Sequence, residues 1–264
     1  MFRPIVALLL AAAATGCRPA PAPVFPAGPL VDLSHVYDAK TIFWPTAEGF
    51  QLEKVADGVT PAGYYYAAND FRTSEHGGTH VDSPIHFAQG RQTVDQIPLQ
   101  RLIGPAVIVD VMAAAAKNPD YQVTVEDIQR AEREVGSIED GVIVLIRTGW
   151  SRRWPDAAKY LGTAERGEQA VAKLHFPGLH PAAATWLIAN RSIAAIGIDT
   201  ASIDRGQSTL FESHRALFAS DIPAFENLTN LDQLPTRGAH VVALPMKIGG
   251  GSGAPLRAIA VLPR

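Results

Sequence analysis

Three histidines and an aspartate stand within one short run, His76-Gly77-Gly78-Thr79-His80-Val81-Asp82-Ser83-Pro84-Ile85-His86. Neutral imidazole and carboxylate are ligands that zinc, manganese and iron accept. Gly77 and Gly78 carry no side chain to block a close backbone approach, and Pro84 disfavours helix at Ser83. The run therefore reads as an extended or irregular loop, not as a helix presenting His76 and His80 one turn apart. In an extended chain His80, Asp82 and His86 are evenly spaced. They project to one side while Val81 and Ile85 project to the other. A lone histidine is usually a hydrogen-bonded core residue. Three with an aspartate, flanked by Gly-Gly and Pro, point to a metal loop.

HGGTHVDSPIH resembles the HxGTHxDxPxH signature of the cyclase family, which includes bacterial kynurenine formamidases and isatin hydrolases. The signature fixes seven positions in eleven. The resemblance continues in Val31-Asp32-Leu33-Ser34-His35, which looks like the family's opening strand, and in the Phe43-Trp44-Pro45 turn. Gly197-Ile198-Asp199-Thr200 and Ala243-Leu244-Pro245-Met246-Lys247-Ile248 extend it to the end of the chain. It implies that His76, His80 and Asp82 are metal ligands, that His86 is the general acid and base, and that Trp44 contacts substrate. His214 and Glu226 match a histidine and a glutamate that complete a second metal site in the formamidases. Read alone, His214 is equally a polar helix residue and Glu226 a cap near Leu228. The resemblance further implies a divalent cofactor, zinc or manganese, as one or two ions, and a homo-oligomer, dimer or larger.

The chemistry implied is hydrolysis of a carbon–nitrogen bond in a small aryl amide or cyclic amide, an isatin-like lactam, by metal-activated water. An unperturbed histidine pKa near 6.5 suits His86 to both proton transfers. No Gly-x-Ser-x-Gly elbow is present. An aryl formamidase acting on N-formylkynurenine is the alternative within the class. A non-catalytic metal- or ligand-binding lipoprotein is the alternative outside it, and such a binder has no need of His86.

Strands and helices must position these groups. Val107–Val111, Val142–Ile146, Ile193–Ile198, His240–Leu244 and Ala258–Leu262 are rich in β-branched residues and read as buried strands. Thr124 followed by Glu126 and Asp127 reads as a capped helix start. His180-Pro181 opens a second helix, and Ser213 to Phe218 a third. The order lacks a regular βαβ alternation. The expectation is one mixed α/β or α+β domain with a mostly buried central sheet flanked by helices, of the swivelling β/β/α type that the resemblance implies.

Several residues receive structural readings. Asp199 is expected to bond the metal loop, Arg147, Arg152 and Arg153 to be solvated charges, and Lys247–Gly253 to be a flexible turn between strands. The last is no phosphate loop, because its lysine precedes the glycines.

Hydrophobic residues make up 47% and charged residues 19% of the 264, which excludes a disordered chain. A net charge of −3 without like-charge runs leaves no track for nucleic acid. Residues 1–17 read as a signal peptide whose apolar stretch, Ile5 to Ala14, ends in Ala14-Thr15-Gly16-Cys17. This resembles a lipobox with Cys17 as the lipidated residue, and it fits a plain signal peptide as well. Residues 18–29 read as a proline-rich tether and 30–264 as the folded body. The expected location is the periplasm or cell envelope, with a lipid anchor to the membrane.

Overall fold

The computed structural model describes residues 27–264. The expected signal peptide with Cys17 and most of the expected proline-rich tether lie outside the described residues. Twelve strands follow in chain order: β1 Leu30–Asp32, β2 Gln51–Val59, β3 Tyr65–Arg72, β4 His80–Asp82, β5 Ile103–Asp110, β6 Gln122–Val123, β7 Ile143–Arg147, β8 Gly178–Leu179, β9 Ala195–Ile198, β10 Ala224–Glu226, β11 Arg237–Pro245 and β12 Gly253–Val261. Eight of them form one sheet in the order β1-β12-β11-β5-β7-β9-β10-β4. β4 also pairs with β12, so the sheet closes into a barrel and β1 lies beside the far half of β12. The run β5-β7-β9-β10 is parallel. The remaining barrel pairings are antiparallel.

The central parts of the parallel strands are buried on both faces, hence the apolar runs at residues 106–109, 143–146 and 195–198. Alternate residues divide between two cores. Ile143 and Leu145 join Ile108, Phe225, Val81 and Ala258 in one cluster. Val144 and Ile146 join Val109, Ile196, Ile128 and Leu187 in the other, under the helices. Small residues make room for closure, among them Ala243, Ala254, Ala258 and Ala260 in the first cluster. A Cβ on Gly197 would stand 2.6 Å from Leu145 Cδ2 and 2.8 Å from Leu228 Cδ1. This closure is the feature that a reading of separate strands does not contain.

The helix Val125–Val135 starts as its sequence indicates. Thr124 Oγ1 accepts from Asp127 N–H at 3.2 Å, and Asp127 Oδ2 accepts from Thr124 N–H at 2.8 Å. The helix Pro181–Asn190 has proline in its first turn and His180 as its cap, whose Nδ1 accepts from Ala182 N–H at 3.0 Å. The helix Glu212–Phe218 carries His214.

β2 and β3 form a separate hairpin that the sequence analysis does not anticipate. Leu52, Val59, Tyr65, Tyr66 and Phe71 on it are exposed. Its apolar residues do not alternate: β2 has Leu52, Val55, Ala56 and Val59 across a register shift, and β3 opens Tyr65-Tyr66-Ala67-Ala68, so neither strand period nor burial marks it clearly.

Candidate metal centre

The loop before β4 is held by close contacts. Gly78 has φ +56, and a Cβ there would lie 2.5 Å from the Tyr37 ring. A Cβ on Gly77 would overlap Phe43. Tyr37 Oη donates to the carbonyls of Gly77 and Thr79, and buried Thr79 donates to Asn227 O at 2.7 Å. β4 then runs between β10 and β12, which sets His80 opposite Glu226 and Asp82 opposite Ala224.

The chain departs from an extended course after Ser83. Pro84–His86 is a 3-10 turn, so His86 does not continue the strand alternation expected of it. The turn still brings it to the site, because its ring stacks on His76 with centroids 3.8 Å apart.

The expected ligands converge. Asp82 Oδ1 lies 2.6 Å from His76 Nδ1 and 3.1 Å from His80 Nε2. Asp82 Oδ2 lies 3.1 Å from His214 Nε2, which is 3.0 Å from Glu226 Oε1. Two groups result, His76–His80–Asp82 and Asp82–His214–Glu226, and each has its donor atoms within 4.8 Å of one another. Asp82 belongs to both.

Hydrogen-bond accounting tests whether this set fits a divalent ion. His80 Nδ1 faces the Gly78 carbonyl at 2.9 Å, and His214 Nδ1 faces Asp204 Oδ2 at 2.6 Å. Both partners accept, so both Nδ1 atoms carry hydrogen. The Nε2 lone pairs are then left facing carboxylate oxygens. Only a second proton on each ring or a cation between them relieves that opposition. The titration behaviour follows. Burial works against charging His214, but the bonds to Asp204, Asp82 and Glu226 outweigh it and push its pKa well above the ordinary value. His80 is displaced upward in the same way, against burial, chiefly by Asp82. Burial and the charge of Asp82 push Glu226 up. Asp82 is driven well below the ordinary carboxylate range because its imidazole neighbours outweigh its burial. The cluster is short of positive charge, and its mixed nitrogen and oxygen donors suit a divalent metal.

The set lies in a cavity of about 390 Å³. Trp44, Phe87 and Phe211 line it with Ile42 and Phe43. Phe87 and Phe211 stack at 5.0 Å, and Trp44 lies 6.2 Å from Phe211. The walls are aromatic and the polar groups are grouped together, as in a small-molecule pocket. His86 also lines it, and burial holds its pKa down at about 4.

Asp204, which received no role from the sequence, makes the hydrogen bond that orients His214. An acidic residue just past a buried strand was its only signal. Phe87 and Phe211 were equally unmarked. Two further expectations fail. Asp199 bonds Thr148, Gly149 and Trp150, not the metal loop, because it closes the turn after β7. Arg147 is buried, not solvated. It bonds Asp110 and the carbonyls of Leu231 and Leu234, which satisfy its charge at the end of β7.

Known proteins share this arrangement of chain. The family model described as "Putative cyclase" matches residues 31–205. Isatin hydrolase from Roseibium aggregatum is 34% identical over 210 residues, covering 76% of this chain and 77% of its own. Kynurenine formamidase from Salinibacter ruber is 30% identical over 230 residues, covering 87% and 96%. The structure of isatin hydrolase A from Ralstonia solanacearum superposes with a TM-score of 0.79 at 34% identity, covering 89% of this chain and 92% of that one. With the signature run, the barrel and the convergent donor set in agreement, the chain belongs to the cyclase family of metal-dependent hydrolases.

Proposed function

We propose that this protein hydrolyses the carbon–nitrogen bond of a small aryl cyclic amide, an isatin-like lactam, with a divalent metal as cofactor. The observation that carries the reading is the cavity itself, which joins an aromatic wall to five convergent metal donors and a histidine stacked at their edge. His76, His80 and Asp82 would hold one ion. Asp82, His214 and Glu226 supply the donors for a second. Zinc and manganese both suit this nitrogen and oxygen set. When bound, such an ion lowers the pKa of a water toward about 7 and polarises a carbonyl.

The chain's own groups do the rest. Trp44, Phe87 and Phe211 hold the aryl ring. His86, with its pKa near 4, is neutral at pH 7. It takes a proton from the attacking water as the carbon–oxygen bond forms. The imidazolium so made is a strong acid, and it returns the proton to the lactam nitrogen as the carbon–nitrogen bond breaks. The products are a carboxylate and an amine in one molecule, and the second proton of the water is released to solvent.

A formamide reading is favoured by one observation, the similarity to the kynurenine formamidase of Salinibacter ruber over 96% of its length. Initial rates with isatin and with N-formylkynurenine, each with zinc and with manganese, decide between them. Preference for isatin supports the lactam reading, and preference for the formamide replaces it. Turnover of neither by metal-loaded protein supports a binding protein instead.

The same proposal extends to assembly and location. The β2–β3 hairpin bears an exposed apolar face, with Leu52 opposite Phe71 and Val59 opposite Tyr65. An isolated hairpin is marginal in water, which supports its burial in a dimer or larger homo-oligomer. Light scattering on wild type and on a Leu52→Lys/Phe71→Lys variant tests it. The N-terminal pattern supports export and anchoring through Cys17. Incorporation of labelled fatty acid, lost in Cys17→Ala, tests that.

A further inference from the structure

The glycine-rich segment Lys247–Gly253 has no part in the chemistry above. It links β11 to β12 and is fastened to the metal loop. Ser83 N–H and Oγ–H donate to Ser252 O at 2.9 and 2.7 Å, and Val94 N–H donates to Gly251 O at 2.9 Å. Gly253 backs directly onto His76. A Cβ there would stand 2.5 Å from the ring's Cε1 and 2.7 Å from Val81 O.

Ser252 makes the polar contact. Its N–H and its O–H both point to Glu75 Oε2, at 3.1 and 2.5 Å. The hydroxyl hydrogen is thereby committed to the carboxylate. Toward His76 Nε2, 2.9 Å away, the Ser252 oxygen can only accept. His76 must then carry its hydrogen on Nε2, which leaves the Nδ1 lone pair facing Asp82 Oδ1 at 2.6 Å. Glu75 is 4.0 Å from His76 Nε2, too far for a hydrogen bond, so it acts through the serine.

We propose that Glu75 and Ser252 are positioning residues that hold His76 in its Nε2–H tautomer and so make Nδ1 its ligand atom. This rests on the metal-centre reading. The competing state is His76 with hydrogen on Nδ1, donating to Asp82. That charge-assisted bond would occupy two ligands of one group at once. The Glu75–Ser252 pair works against it. The stacked ring of His86 follows His76, so the pair also sets the direction of the acid–base group.

The test compares the full-length wild type with Ser252→Ala, Ser252→Thr and Glu75→Ala. Zinc and manganese affinities are read by chelator competition. The tautomer of His76 is read from long-range nitrogen–proton spectra of the metal-free protein. Loss of such a partner lowers metal affinity about 10- to 100-fold. That loss is expected for Ser252→Ala and Glu75→Ala, with an unchanged metal-free melting temperature, and Ser252→Thr is expected to restore affinity. The spectra are expected to show hydrogen on His76 Nε2 in wild type and its loss from Nε2 in Ser252→Ala. Equal affinity in a metal-binding wild type and Ser252→Ala overturns the positioning role while leaving the metal centre intact. A loss that threonine does not restore also overturns it, since packing of the turn would then be the cause. A wild type that binds neither ion overturns the metal-centre reading itself.

Discussion

Asp204→Asn keeps the size and shape of a buried side chain and removes its charge. Asp204 Oδ2 accepts from His214 Nδ1 at 2.6 Å and from His214 N–H at 3.1 Å, while Oδ1 accepts from Ser213 N–H at 3.2 Å. An amide has one acceptor and one donor end. If its oxygen takes the His214 side, its NH₂ meets the Ser213 N–H, and a buried donor goes unpaired at a cost of about 1–3 kcal/mol. If it turns over, the NH₂ meets His214 Nδ1. The ring must then move its hydrogen to Nε2, the atom facing Asp82 and Glu226. The proposed second metal group would lose a ligand in that state. The expected result is a thermal destabilisation of about 1–3 kcal/mol together with a metal affinity lower by about 10- to 100-fold. Calorimetric unfolding of metal-free protein reads the first, and chelator competition with zinc or manganese reads the second. Affinity within twofold of wild type, in a variant with the expected loss of stability, would refute the claim that Asp204 orients His214 for a cation.

Three further outcomes are expected. His86→Ala should keep its metal and lose about 10²- to 10⁴-fold in kcat/KM, measured beside elemental analysis; loss of the metal would make His86 a ligand instead. Asp127 titrates below the ordinary carboxylate value, because the Thr124 N–H, the Tyr121 and Thr124 hydroxyls and Arg130 outweigh its burial. Its stabilisation is therefore full above the unfolded carboxylate pKa and is lost as pH falls through the lower folded value. Asp127→Ala should cost about 1–2 kcal/mol at neutral pH through the lost cap, and a denaturant series should show the gap from wild type closing in strong acid, not widening. Gly78→Ala combines φ +56 with a 2.5 Å approach to Tyr37. It should destabilise by about 1–3 kcal/mol and weaken metal binding, and a neutral result by the same two measurements would show that the loop has slack.

How much was legible depended on sequence distance. The proposed first ligand group and His86 lie in one run, so residue type and the Gly-Gly and Pro flanks singled out, without knowledge of the fold, side chains that the structure brings together. His214 and Glu226 reach the site only through a helix and through the pairing of β10 with β4. No local pattern specifies that pairing, and the resemblance alone marked them. Ser252 reaches His76 across 176 residues through the pairing of β12 with β4, and Asp204 reaches His214 across 10 residues; neither sits in a run that signals chemistry. Barrel closure was hidden because Val107 to Ile146 look the same in a flat sheet and a curved one. What distinguishes them is the small inward residues, Gly197, Ala254 and Ala258, whose meaning depends on what they face. Arg147 shows the converse error. A cation at a strand end looked exposed, and Asp110 with two carbonyls turned out to enclose it.

The central claim is that a divalent ion is held by His76, His80 and Asp82. Elemental analysis of the purified full-length chain, beside a His80→Ala/Asp82→Ala variant shown to be folded by circular dichroism, tests it most directly. The account predicts about one or two equivalents of zinc or manganese in the wild type and a loss of at least one in the variant. A wild type free of metal after dialysis against either ion, or a variant that retains the full complement, would contradict it.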